Sequence, residues 1–190
     1  MAFKNRAEPT GGREVIGDAL GRRRHHAHPM PSLRGAPRIG APLPLFLIHR
    51  RDAKRRAPMS AARLVGWRYP IVGAEEVALA SLREGEHGKV FTGIEHGLLP
   101  ERLMDAARLA DSKLKGRPSH FEPRLLEVPS LRIHVLWLYR AGQSRFVSLM
   151  EGRPPRTGEL TFVRSIAPLI HEALEASLHR RRHPKAASIE

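Results

Sequence analysis

The amino-acid sequence predicts an α+β domain: a small antiparallel sheet, made of a three-stranded meander plus one further strand, with about three helices packed mainly on one face. Three observations carry this expectation. Residues 121–150 hold three β-branched and aromatic runs separated by short turns. Residues 99–114 and 162–178 place apolar side chains at helical spacing. Residues 1–58 show neither pattern, so they are expected to be a disordered leader. The domain is then expected at 59–179 and a disordered basic tail at 180–190.

Taken in order, Gly66-Trp67-Arg68-Tyr69-Pro70 reads as an extended lead-in whose aromatics cover part of the core. Ala74 to Arg83 carries Val77, Leu79, Ala80 and Leu82 in a helix-compatible pattern, with Glu75 and Glu76 near its positive end and Gly85 and Gly88 beyond it. Val90-Phe91-Thr92-Gly93-Ile94 reads as a strand with a bulge or bend at Gly93. Pro100 suits a first helical turn, and Leu99, Leu103, Ala107, Ala110 and Leu114 mark one helix face.

Phe121 to Val128 and Leu131 to Tyr139 form the strongest strand pair, turning at Pro129-Ser130. The second strand starts half-exposed at Arg132 and His134 and ends apolar on both sides. This places Trp137 inside a sheet–helix interface. A turn at Ala141–Ser144 leads into a third strand, Arg145 to Met150. Past a Pro154-Pro155 loop, Phe162, Ile166, Leu169, Ile170, Ala173, Leu174 and Leu178 mark the last helix, with Ser165 as its cap and Pro168 in its first turn.

The segment Phe121 to Tyr139 resembles a hairpin of uncharacterised bacterial proteins, in which an Arg-Leu-Leu strand, a Pro turn and an aliphatic-Leu-Trp-Leu strand recur. The resemblance implies the hairpin and no activity.

The net charge of +14 is unevenly spread. Residues 1–58 hold 13 basic and 4 acidic side chains, residues 59–179 hold 16 and 14, and residues 180–190 hold 4 and 1. The basicity therefore belongs to the two ends. Within 1–58, Arg, Pro, Gly and Ala make up 32 of 58 residues. Prolines at 29, 31, 37, 42 and 44 oppose helix and strand alike. Such a segment is expected to be unable to offset chain entropy by burial. With 27 Arg against 6 Lys across the whole chain, the segment also reads as translated GC-rich DNA upstream of a start at Met59. The alternative is a polybasic arm.

The absence of cysteine excludes disulfides, thiolate nucleophiles and Cys-based zinc sites. No apolar run approaches the roughly 20 residues of a membrane span, and no signal peptide is visible, so the chain is expected to be cytoplasmic. His25-His26-Ala27-His28 could chelate a metal, but an unpatterned leader fixes no geometry, so no metal is expected. No phosphate loop or catalytic motif occurs, and no cofactor is expected. Glu95-His96 and His120-Phe121-Glu122 are the acid–base candidates, with structural roles preferred for both histidines. His134 is expected at the surface or against a helix, and His171 in solvent.

The remaining candidates are basic tracts suited to polyanion contact: Arg22, Arg23 and Arg24; Arg50, Arg51, Lys54, Arg55 and Arg56; and Arg180, Arg181 and Arg182. No aromatic residue interleaves them to stack bases, so any nucleic-acid binding is expected to be non-specific. The leading expectation is a non-catalytic binding or assembly module, with a protein partner or self-association. The alternatives are polyanion binding through the tails and a small His/Glu acid–base enzyme.

Overall fold

Two antiparallel meanders are joined by one strand from the supposed leader. The computed structural model describes residues 9–24, 37–114, 121–150, 160 and 162–182. Its elements are α1 (Gly12–Arg24), β1 (Arg38–Ile39), β2 (Leu43–Leu47), α2 (Arg50–Ala53), β3 (Arg63–Val72), β4 (Val77–Gly85), β5 (Gly88–Glu95), α3 (Leu98–Leu114), β6 (Glu122–Val128), β7 (Ile133–Arg140), β8 (Gln143–Met150), β9 (Phe162–Val163) and α4 (Ala167–Arg182). They form an α+β fold with a mixed sheet of nine strands, ordered β5-β4-β3-β2-β6-β7-β8-β9, with β1 also on β3. The expected four-stranded sheet is therefore a fragment of the observed one.

The largest correction concerns residues 1–58. β2 lies at the centre, antiparallel to β3 (Leu43↔Arg68) and parallel to β6 (Leu45↔Leu125). Leu43, Leu45, Phe46 and Ile48 are buried, as is Ile16 of α1. Pro44 lacks an N–H, but it precedes the parallel register, which begins at Leu45. The proline thus falls where the strand is not yet paired on both sides. Composition averaged over 58 residues hid a five-residue apolar strand. The disorder expected for residues 1–8, 25–36 and 183–190 falls outside the described residues.

Residues 77–85 are strand β4, not the expected helix. Leu79 faces one side while Ala78, Ala80 and Leu82 face the other, and all four are buried. A strand covered on both faces loses its period of two and becomes indistinguishable from a short helix by pattern. Gly85 and Gly88 pair across a tight turn at Glu86-His87, with Gly88 at φ 117°. Gly93, at φ 154°, lies beside a register shift between β4 and β5, the bulge that the sequence led us to expect.

The remaining expected elements stand close to their places. β6, β7 and β8 pair antiparallel in sequence. The turn after Pro129 is closed by Arg132, whose left-handed φ of 54° lets its N–H donate to the Pro129 carbonyl at 3.1 Å. Ser165 Oγ accepts from the Ala167 N–H at 3.2 Å, and Pro168 sits in the first turn of α4. Phe162 belongs to β9 rather than to that helix, and Leu178 is exposed.

Strand alternation divides the core. On one face α3 packs Leu99, Leu103, Ala106, Ala110 and Leu114 over Leu43, Leu45, Leu125, Leu136, Leu138 and Val147. The other face carries the remaining helices. α1 covers Tyr69, Ile71, Ala78, Ala80 and Leu82 through Ile16, while α2 and α4 cover Phe46, Leu126, Val135, Trp137 and Phe146. Trp137 is buried as expected, edge-on to Phe46 and Tyr139 and stacked on Phe146. No described helix is long and apolar enough to cross a membrane.

Candidate functional site

A charged cluster lies on the α3 side of the sheet. Trp67, Tyr69 and Ile71 point towards α1, so alternation sends Arg68 to the opposite face. There its guanidinium spans strands two places away in each direction. Nη1 meets Ser81 Oγ on β4 and lies 3.2 Å from Glu95 Oε2 on β5. Nη2 lies 3.1 Å from Glu127 Oε1 on β6, across β2. His134 on β7, opposite Glu127 in register, brings its Nδ1 within 3.7 Å of the same carboxylate oxygen.

The side chains of Arg68 and Glu127 are only 14% and 10% exposed, whereas Glu95 is 38% exposed. Taking ions out of water costs several kcal/mol each, repaid only by close pairing. Arg68 meets that need by serving both carboxylates. Burial pushes the Glu127 carboxyl up, but His134 and the Arg68 guanidinium more than reverse this. The group ends below its ordinary value of 4.5 and stays ionised.

The cluster is not closed. Arg68 Nε and His134 Nδ1 are buried without a hydrogen-bond partner among the described residues. At 3.7 Å the imidazole lies beside the carboxylate without a formed hydrogen bond. Buried polar atoms without partners are rare, and two of them at one charged cluster mark it out.

Of the sequence-nominated acid–base residues, only Glu95 enters this cluster. His96 instead places Nδ1 2.6 Å from Glu76 Oε1, on the opposite side of its strand from Glu95. Glu122 is held by Arg124 through two bonds of 2.9 and 3.1 Å on the other face of the sheet. Thus clamped, Arg124 lies 3.7 Å from the Tyr139 ring centre and also covers Phe46 and Trp137. Glu95, His96 and Glu122 therefore do not form one site. His120, like His25, His26 and His28, lies outside the described residues. His134, expected at the surface or against a helix, is half-buried in the cluster. His171 is exposed as expected and pairs with Glu175 at 3.2 Å.

The basic tract at 50–56 is folded rather than part of a loose tail. Arg50 and Arg51 belong to α2. Asp52, buried, lies 2.9 Å from Arg55 and 3.7 Å from Arg51. Lys54, Arg55 and Arg56 line a cavity of about 480 Å³ together with Ser165 and His171 at the start of α4. Arg22, Arg23 and Arg24 end α1, while Arg180, Arg181 and Arg182 end α4. Among the described residues, no three His, Asp or Glu side chains are grouped to hold a metal.

Comparison with protein-family models, curated proteins and solved structures found no match to this chain.

Proposed function

We propose that the protein is a small enzyme whose acid–base centre is the cluster of Arg68, Glu127 and His134. The observation that supports this reading is the buried, unpartnered His134 Nδ1 beside a carboxylate held ionised. An imidazole set beside a carboxylate is the arrangement general acid–base catalysis uses. In this reading His134 moves the proton. Glu127 supplies the neighbouring negative charge, and Arg68 with Glu95 positions Glu127. Composition and motifs alone favour a non-catalytic module; the cluster shifts the balance because it is assembled from five strands and left unsatisfied.

The test is turnover of a panel of activated esters, amides, glycosides and phosphoesters by the full chain and by His134→Gln. General acid–base groups contribute roughly 10²–10⁴-fold, so the variant is expected to lose at least about 100-fold with its melting midpoint unchanged. Turnover undiminished in a folded His134→Gln protein would sink the reading. So would the lack of turnover of any substrate class by the wild type.

A further inference from the structure

On the side of the sheet away from α3 and the acid–base cluster, the 480 Å³ cavity lies between the turn that follows α2 and the start of α4. One wall is the basic run Lys54, Arg55 and Arg56, and the other carries Ser165 and His171. Ile170 and Leu174 give it an apolar floor. Its size falls within the range of small-molecule sites, roughly 300–1,000 Å³.

Charge sets this cavity apart. Among the described residues no Asp or Glu lines it. Two carboxylates stand close by, and both are engaged: Asp52 lies 2.9 Å from Arg55, and Glu175 lies 3.2 Å from His171. Lys54 and Arg56 are exposed and make no hydrogen bond or ion pair among the described residues. A cleft lined by charge of one sign concentrates the opposite ion. Ser165 Oγ accepts from the Ala167 N–H at 3.2 Å, which leaves its hydroxyl proton as a donor on the facing wall.

We propose that this cavity binds a phosphomonoester carried on a small apolar body, the phosphate at Lys54 and Arg56 and the body against Ile170 and Leu174. Two unanswered cations favour a dianion over a monoanion. A guanidinium fork beside an ammonium also suits phosphate, whose oxygens point in three directions, better than a planar carboxylate. The apolar floor favours a small molecule over a polymer, since it offers a sugar–phosphate backbone nothing to bind. The sheet separates this cavity from Arg68, Glu127 and His134, so either reading can fail without the other.

Isothermal titration of the full chain with phenyl phosphate, benzoate and inorganic phosphate, at about pH 7.5 where the monoester is mostly doubly charged, separates the outcomes. Phenyl phosphate is expected to bind at one site, at least about five-fold tighter than either of the others, the worth of one further exposed ion pair. Lys54→Gln and Arg56→Gln should each weaken it by up to about five-fold. Arg140→Gln, which removes an exposed cation that does not line the cavity, should leave it unchanged. Leu174→Ala should weaken phenyl phosphate and spare inorganic phosphate. Benzoate binding as tightly as phenyl phosphate would overturn the dianion. Equal losses from Arg140→Gln and Arg56→Gln would reduce the effect to the net charge of +14 and overturn the site. Displacement of phenyl phosphate by a single-stranded oligonucleotide without terminal phosphates would assign the cavity to a polymer instead. Absence of binding by all three probes would overturn the proposal outright.

Discussion

A chain beginning at Met59 is expected not to fold cooperatively. The deletion removes α1, β1, β2 and α2, and with them five large buried side chains: Ile16, Leu43, Leu45, Phe46 and Ile48. Burying each contributes about 2 kcal/mol, so the loss is on the order of 10 kcal/mol. That matches the whole stability of an ordinary domain, about 5–15 kcal/mol. It also leaves out two further costs, the facing residues newly exposed and the bare inner edges of β3 and β6. Near-ultraviolet circular dichroism and thermal melting of residues 59–190 against the full chain supply the assay. The expected result is a weak aromatic signal and a broad, non-cooperative transition. A sharp transition within a few degrees of the full chain would refute the placement of β2 and restore the leader as a dispensable arm.

Two further outcomes follow from the core and from the cluster. Trp137→Ala should cost roughly 3–5 kcal/mol in urea denaturation, since the ring packs on Phe46, Tyr139 and Phe146 and its Nε1 donates to Ser144 Oγ at 3.0 Å; a near-neutral value would put the ring in solvent. Glu127 has a folded pKa below its unfolded value near 4.5. Its ionised form therefore stabilises the fold above that value, and the contribution is lost as pH falls through the folded pKa. Melting midpoints of Glu127→Gln should depend less steeply on pH below about 5 than those of the wild type, and parallel curves would contradict the ionised assignment.

Local pattern made about half of this fold legible. α3 and α4 declare themselves through spacing and capping, and β6, β7 and β8 through their turns, because each is decided by neighbours in sequence. β4 reads as a helix because both of its faces are covered, so no alternation survives to distinguish it from one. β2 is hidden because its partners come from elsewhere: a short apolar run with a proline has no visible claim to a sheet centre until β3 and β6 flank it. The cluster is harder still. Arg68 and Glu127 stand 59 residues apart. One signal was available, a Glu at position 127 between apolar neighbours just before a turn, where an ordinary buried strand would carry another aliphatic residue. Nothing local says that Arg68 is its partner.

The position of β2 also sets an order of events during synthesis. The β3–β5 meander is built from near neighbours and can pair with β2 as soon as it emerges, since that whole module lies within residues 43–95. Leu45, however, waits for Leu125, eighty positions later, before its second side is covered. In that interval the Leu45-Phe46-Leu47 edge is open, apolar and one strand wide, the kind of surface that recruits a strand from another nascent chain. Parallel, long-range pairing is also the slowest kind to close. The step that commits this chain to a single molecule is therefore the arrival of β6, and the hazard before it falls on the very strand that composition alone consigned to disorder.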